Sequence, residues 1–174
     1  MAIDRFTGEY HFLSNMAPLD NKVATPYGVE VATAEQLYSA ARFQRESARL
    51  VILESDTGYH AKKLVGSLEA SGSPTLENWD QLRLPTMRDC VLVKFASNPE
   101  LAKRLLATGD EELVEGNKRG DDFWGVSPPP PHGKGENWLG RILTGTRHAL
   151  RQPNFSVDVD QLVQQIFAPE NRKA

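Results

Sequence analysis

Residues 116–137 set the strongest limit on how this chain can fold. They contain five glycines and a run of four prolines, Pro128 to Pro131, a composition that interrupts both helices and strands. An irregular segment of this length inside a domain is usually either functional or disordered. We therefore expect residues 116–137 to form a long loop, and we examine its side chains for a functional site.

The rest of the chain is patterned mainly for helices. Apolar side chains recur every three or four residues, a spacing typical of amphipathic helices. This spacing and the capping signals predict helices over 33–45, 61–72, 86–96, 99–108, 138–150 and 159–167. Residues 78–85 are predicted to form an interrupted segment outside these helices. A hairpin is predicted around residues 26–28 and a short strand over 111–115. The expected fold class is mainly α, of the α+β kind, with short strands and a hairpin near the N-terminus.

Length and composition limit the domain organisation and the compartment. The 174 residues predict one domain over 1–152, followed by an amphipathic helical tail over 153–174 that would pack on the domain or on another copy. Cys90 is the only cysteine, which excludes an internal disulfide and fits a reducing compartment. No apolar run approaches the ~20 residues of a membrane span, and no secretory signal is recognisable. A cytoplasmic protein without a membrane partner is expected.

The net charge of −3 excludes a general nucleic-acid-coating protein, because such binding needs clustered positive charge. A local basic patch is still compatible with this charge. The four histidines have no metal-ligand spacing and no HExxH motif is present, so no metal site is predicted. No GxSxG motif occurs, and Cys90 lies on an apolar helical face, so a serine or cysteine nucleophile has no support.

The long loop contains two groups of candidate functional residues. Asp121 precedes Trp124 by three residues, and a carboxylate beside an aromatic ring suits cleavage of a glycosidic bond. A capped turn around a core tryptophan is the alternative. Lys134 and Asn137 lie in the segment HGKGEN ahead of a helix, where glycines and free N–H groups could hold a phosphate. A flexible glycine turn is the alternative there.

Further candidates lie outside the loop. Ser14 and Asn15 stand between apolar residues and could be polar groups in a pocket or turn residues. Glu35 and Arg42 are seven residues apart, on about the same face of one predicted helix. They could present a base and an anion clamp, or form a solvated charge stripe. Glu115 could point inward or be an exposed strand-end residue.

Read together, these segments resemble the NADAR family, also known as YbiA-like N-glycosidases. The similarity covers about 6–151. It is carried by FLSNMAP, by VATAEQLYSAARF, by TMRDCVLVKFASNPELAKRLLATGDEELVEGN, and by GDDFWG followed by HGKGENWLGRIL. The resemblance implies a compact, mainly α-helical fold with small β elements. It also implies hydrolysis of N-glycosidic bonds to ribose without a metal or organic cofactor.

The resemblance also assigns roles to residues of this chain. Glu35 matches a catalytic carboxylate, and Asp121 matches a second catalytic or ribose-orienting group. The residues matching substrate-binding positions are Ser14, Asn15, Arg42, Glu115, Trp124, Lys134, Asn137 and Gly140. The chain departs from the family pattern at Ser39 and Arg42, where glutamine and lysine are usual, and in its tetraproline insert. Arginine can grip a phosphate but cannot readily act as a base.

Three functions are compatible with these features. The first is removal of ADP-ribose from guanine bases of single-stranded DNA or RNA, with an ADP-ribosyltransferase toxin as a candidate functional partner. The second is hydrolysis of the ribosylamino-pyrimidine phosphates of riboflavin biosynthesis. The third is a non-catalytic module that binds an ADP-ribose derivative, which the arginine at position 42 favours.

Overall fold

The computed structural model describes residues 2–168, which contain seven α-helices and four two-residue strands. The helices are α1 (Ala34–Ala41), α2 (Glu46–Leu53), α3 (Gly58–Ala70), α4 (Trp79–Ser97), α5 (Pro99–Ala107), α6 (Trp138–Leu150) and α7 (Val159–Phe167). The strands are β1 (Ala2–Ile3), β2 (Val23–Ala24), β3 (Glu30–Val31) and β4 (Glu112–Leu113). The predicted fold class, mainly helical with short strands, is confirmed.

The described residues fall into two compact units. The first comprises residues 2–14 and 99–156. In it β1 pairs in parallel with β4, with Ile3 opposite Leu113, and a 3₁₀ helix over Gly8–Leu13 follows β1. Helix α6 packs against β4 and α5, and the fully buried Leu105 and Leu143 lie in the core of this unit.

The second unit comprises residues 15–98 and 157–168. Helix α1 packs against α2, α3, α4 and α7, and the antiparallel hairpin of β2 and β3 precedes it. Helix α7 buries Val163, Ile166 and Phe167 and packs on α4 of the same unit. Residues 169–174 of the predicted helical tail lie outside the described residues.

Helix α1 starts where the sequence predicts but ends earlier. The Thr33 hydroxyl accepts a hydrogen bond from the backbone N–H of Gln36 at 3.3 Å, which caps the helix. The predicted end at residue 45 is wrong, because the chain leaves the helix after Ala41 to pair with residues 74–76. There Phe43 bridges Thr75, and a segment paired in this way cannot continue an α-helix.

The start of helix α4 also differs from the predicted boundary. It begins at Trp79 and includes Pro85, whereas the sequence predicts a helix only from residue 86. A proline inside a helix removes one backbone hydrogen bond and crowds the preceding turn. Here the first turns are held by burial, because Trp79 is only 7% exposed and its ring lies 5.4 Å from that of Tyr38.

Three elements are absent from the prediction, namely β1, the 3₁₀ helix and α2. The pattern of a two-residue strand or of a six-residue 3₁₀ helix is too brief to detect by periodicity. Helix α2 has eight residues, but no side chain caps its start, so the usual start signal is missing. Residues 116–137 contain no helix or strand and form the predicted loop, held by isolated bridges such as Ser127 with Lys134. Within residues 2–168, no helix has the length and apolarity needed to cross a membrane.

Candidate active site

Helix α1 places a buried carboxylate one turn from a hydroxyl. Glu35 lies in the first turn of the helix, and Ser39 follows four residues later on the same face. The Ser39 hydroxyl donates a hydrogen bond to Oε1 of Glu35 at 2.9 Å. Glu35 is 7% exposed and Ser39 is 3% exposed. A carboxylate buried to this extent has to be hydrogen-bonded, and Ser39 supplies one such bond.

Asn15 contacts the same carboxylate residue through the backbone. Its carbonyl oxygen accepts a hydrogen bond from the N–H of Glu35 at 3.1 Å, and its side-chain Nδ2 donates to Sδ of Met87 at 2.9 Å. The Asn15 side-chain oxygen is buried, and no donor among residues 2–168 reaches it. A buried acceptor without a partner costs about 1–3 kcal/mol. An acceptor without a partner, on a residue whose backbone bonds to Glu35, suits a hydrogen-bond donor on a bound ligand.

Gly58, the first residue of α3, packs directly on Glu35. A Cβ atom added at Gly58 would lie 3.1 Å from both Cβ of Glu35 and Sδ of Met16. The helix is capped by Thr57, whose hydroxyl accepts from the His60 N–H at 3.1 Å. The amino end of α3 therefore lies against Glu35, and the partial positive charge of a helix amino end favours a negative neighbour.

Tyr38 borders the candidate site as a neutral phenol. Burial is the main cause that raises its pKa above the usual value of 10, and the charge of Glu35 adds to the effect, while Arg42 opposes it. Both leading causes disfavour the phenolate form. Tyr38 therefore keeps its proton throughout the physiological pH range and adds a polar group, but no negative charge, to the surroundings of Glu35.

Arg42 is held by an acidic partner from α3. Its guanidinium lies 2.8 Å from Oε1 of Glu69, and the two side chains are 34% and 38% exposed. Of the predicted site residues in the second unit, Asn15 and Glu35 are in contact, and Arg42 lies at the opposite end of α1 from Glu35. A phosphate bound by Arg42 would have to share the guanidinium with Glu69 or displace it.

In the first unit, Asp121 forms a capped turn with Trp124. Its Oδ1 accepts a hydrogen bond from the Trp124 N–H at 2.9 Å. Asn117 supports this turn, since its Oδ1 accepts from the Asp121 N–H at 3.1 Å. The Trp124 ring packs edge-on against Phe123, with centroids 4.9 Å apart. This geometry positions the Asp121 carboxylate in the loop by local backbone contacts.

Asn137 joins the loop to strand β4. Its Oδ1 accepts from the Glu115 N–H at 3.0 Å, and its Nδ2 donates to the Leu113 carbonyl at 2.9 Å. Its φ of 52° lies in the left-handed region that asparagine tolerates better than most residues. A Cβ atom at Gly140 would come within 2.1 Å of the same Leu113 carbonyl. Asn137 and Gly140 therefore have a structural role next to β4, in addition to the predicted ligand contacts.

The remaining predicted residues also lie in the first unit. Ser14 ends the 3₁₀ helix, where its N–H donates to the His11 carbonyl. Lys134 is exposed, and its backbone pairs with Ser127. Within residues 2–168, no three His, Cys, Asp or Glu side chains are grouped as metal ligands.

Three residues near the predicted site were not predicted as part of it. Ser39 was recognised only as a departure from the family pattern, although its position four residues after Glu35 is the signal that the two side chains meet. Asn117 and Gly58 carry no local signal of this kind. The contact of Gly58 with Glu35 forms only in the folded chain, whereas Asn117 contacts the nearby Asp121 inside the irregular loop.

Comparison with known proteins decides the family. The model of the NADAR domain matches residues 4–151. The chain belongs to the NADAR family. This membership confirms the resemblance described above, and the matched residues include both helix α1 and the long loop over 116–137.

Named relatives agree with this membership. The chain is 31% identical over 142 residues to the N-glycosidase YbiA of Escherichia coli, covering 82% of each protein. It is 30% identical over 134 residues to an N-glycosidase of Nostoc punctiforme, covering 73% of this chain and 82% of that protein. A riboflavin biosynthesis protein of Vibrio vulnificus is 33% identical over 141 residues, which span 81% of this chain but 36% of that protein.

A solved structure shows the same fold. The NMR structure of E. coli YbiA superposes with a TM-score of 0.70 and 28% identity, covering 86% of this chain and 83% of that one. The mainly helical architecture is therefore shared by a NADAR relative that bears the name N-glycosidase.

Proposed function

We propose that this chain is an N-glycosidase that hydrolyses the bond between ribose and a base nitrogen, and that it removes ADP-ribose from guanine bases of nucleic acid. Two relatives carry the name N-glycosidase, and the match with this chain spans 82% of the length of each. The observation that carries the proposal is the buried Glu35 carboxylate, which is bonded to Ser39. The backbone N–H of the same residue donates to Asn15, whose side-chain oxygen has no hydrogen-bond partner among residues 2–168.

The proposed reaction breaks the bond from C1′ of ribose to the base nitrogen. The bonding electrons leave with the base, and positive charge develops at C1′ in an oxocarbenium-like transition state. The Glu35 carboxylate stabilises this charge and accepts a proton from the water that attacks C1′. The base nitrogen gains one proton, and ADP-ribose leaves with a new hydroxyl on C1′. One water is consumed, and no cofactor takes part.

The other site residues are assigned to binding and orientation. Asn15 accepts a hydrogen bond from an O–H or N–H donor of the substrate. Asp121 acts as a second catalytic or ribose-orienting carboxylate, and Trp124 covers a ring of the substrate. Arg42 and Lys134 supply positive charge for phosphate. An ADP-ribosyltransferase toxin that makes the modified base would be the functional partner.

A second candidate substrate is a ribosylamino-pyrimidine phosphate of riboflavin biosynthesis. The name of the Vibrio relative supports it, although this chain spans only about a third of that protein's length. Such a substrate carries a single phosphate, for which Arg42 is suited. Hydrolysis would proceed at the same C1′ position and would use Glu35 in the same way.

The third candidate is a binding module that holds an ADP-ribose derivative without cleaving it. The pairing of Arg42 with Glu69 supports it, since this arginine stands where the family pattern has lysine and cannot act as a base. The module would retain affinity through Asn15. Only turnover separates it from the first two candidates.

One substrate panel tests the three candidates together. Wild-type protein is incubated with a guanine-ADP-ribosylated single-stranded oligonucleotide and, separately, with ribosylamino-pyrimidine phosphates, and the products are weighed by mass spectrometry. The proposal predicts loss of the ADP-ribose mass from the oligonucleotide. Cleavage of the pyrimidine phosphates alone would favour the second candidate. Binding of ADP-ribose by calorimetry without any cleavage would favour the third.

A further inference from the structure

The outer face of α3 combines an exposed aromatic ring with two lysines. Tyr59, Lys62, Lys63 and Gly66 follow one another at the i, i+3, i+4, i+7 spacing, which places them on one side of the helix. All four are exposed, and Tyr59 is 55% exposed. The opposite side faces the protein, where Ala61 is fully buried. We call these four residues the α3 outer face.

The first residue of this face follows the residue that packs on Glu35. Gly58, which packs on Glu35, is the residue directly before Tyr59. The helix then runs away from Glu35 for about 12 Å up to Gly66. At Gly66 the surface is open, because a Cβ atom added there would meet nothing within 4 Å. A chain bound along the α3 outer face would therefore run toward the end of the helix that packs on Glu35.

The charges of this face are available to a ligand. Within residues 2–168, neither Lys62 nor Lys63 takes part in an ion pair. The acidic Glu69 near the end of α3 is occupied by Arg42. Glu54 and Asp56 are exposed before the helix begins, which limits the positive surface to a short strip. Such a strip fits one strand, and it is too small for the wide contact that a duplex needs.

We infer that the α3 outer face binds single-stranded polynucleotide next to the modified base. Tyr59 stacks on an unpaired neighbouring base, and Lys62 and Lys63 contact the phosphates that follow it. Aromatic stacking combined with cationic side chains is the general means by which proteins hold single strands. The inference rests on the proposed function, because Glu35 must act on the base for this face to flank the reaction. If this face binds a strand in this way, the preferred substrate is a modified polynucleotide and not a free modified nucleotide.

Direct binding tests this surface without requiring turnover. Fluorescence anisotropy measures the affinity for a labelled, unmodified single-stranded DNA of about 12 nucleotides. Tyr59→Ala is expected to weaken binding about tenfold, and Tyr59→Phe to retain it. The double variant K62A/K63A is expected to weaken binding and to reduce the slope of log affinity against log salt by about 1.4.

A matched double variant controls for net charge. K22A/K103A removes two exposed lysines, one before β2 and one on α5 that forms an exposed ion pair with Glu100. Apart from a small general effect of net charge, this variant should bind the DNA with wild-type affinity. Equal weakening by K62A/K63A and K22A/K103A, or unchanged affinity of Tyr59→Ala, would overturn the inference. Thermal unfolding of each variant tests whether the substitution leaves the fold intact.

A second readout separates this inference from the proposed function. The value of kcat/KM is compared for an ADP-ribosylated oligonucleotide and an ADP-ribosylated guanine mononucleotide. The inference predicts that Tyr59→Ala lowers kcat/KM for the oligonucleotide about tenfold and leaves that for the mononucleotide unchanged. An equal effect on both substrates would contradict it while leaving the glycosidase proposal intact. Strand binding through Tyr59 without any cleavage would support the surface and contradict the proposed function.

Discussion

Ser39 donates its hydroxyl hydrogen bond to Oε1 of Glu35 across one turn of α1, at 2.9 Å. Both side chains are buried, so water cannot replace this bond at low cost. A glutamate has several rotatable bonds, and the serine restricts the orientation of its carboxylate. Ser39, one of the positions at which this chain departs from the expected family pattern, therefore contacts the candidate catalytic group directly.

We expect Ser39→Ala to lower kcat about tenfold or more without a matching change in KM. A hydrogen bond to a charged group is worth about 1.5–3 kcal/mol, and 1.36 kcal/mol corresponds to a tenfold change in rate. Steady-state kinetics on the cleaved substrate measure the effect. Ser47→Ala, at an exposed position of α2, is the control. A rise in KM with unchanged kcat would show that Ser39 serves binding and does not orient the carboxylate.

Two glycines of α3 provide a test of the packing on Glu35. At Gly58 an added Cβ would lie 3.1 Å from Cβ of Glu35, whereas at Gly66 it would meet nothing within 4 Å. We expect Gly58→Ala to destabilise the fold by about 1–3 kcal/mol through overpacking. Gly66→Ala should instead stabilise it by about 0.5–1 kcal/mol, because alanine is the better helix former. Urea unfolding measures both, and a shift in the same direction would refute the packing described for Gly58.

Asn137 is expected to contribute to stability independently of any ligand. Asn137→Gly permits the same left-handed backbone but removes the bonds to the Leu113 carbonyl and the Glu115 N–H. We predict a loss of about 1–3 kcal/mol in the free energy of unfolding. Glu136→Ala, at the exposed preceding residue, should change it by less than about 0.5 kcal/mol. Similar losses in the two variants would mean that the side-chain bonds of Asn137 contribute little.

The ion pair of Asp110 with Arg151 predicts a specific pH effect. The hydrogen bond from Arg151, at 2.7 Å, lowers the pKa of Asp110 below its usual value of 3.8. The stabilisation from this pair is present above pH 3.8 and is lost as the pH falls through the lowered pKa. We expect Arg151→Gln to return the pKa of Asp110 toward its usual value, as followed by NMR titration of the carboxyl carbon. A titration curve that does not move would show that Arg151 has no influence on Asp110.

Much of the fold was predictable because it depends on local signals. The Thr33 cap, the Asn98 and Pro99 start of α5 and the periodicity of α6 identified their elements from neighbouring residues alone. The end of α1 and the inclusion of Pro85 in α4 were predicted incorrectly, because both depend on contacts with distant segments. The pairing of Phe43 with Thr75 has no signature in either segment read alone.

The candidate site was predictable to a smaller extent. Family motifs pointed to Glu35 and Asn15, and the structure places them in contact. The motifs do not show that the Asn137 amide bonds to Leu113 of β4 and to the Glu115 N–H beyond it, or that Glu69 pairs with Arg42. These partners lie 22 to 27 residues away in sequence, so that only the folded chain brings them together.

The most direct test of the central claim is a single-turnover measurement on Glu35→Gln. Glutamine keeps the shape of the side chain and the oxygen that accepts from Ser39, but it has no negative charge. With excess enzyme and a guanine-ADP-ribosylated oligonucleotide, wild type and the exposed control Glu46→Gln should release the ADP-ribose mass. Glu35→Gln should be about 10²–10⁴-fold slower with unchanged affinity for the oligonucleotide. Release by Glu35→Gln at the wild-type rate would contradict the role of this carboxylate in the reaction.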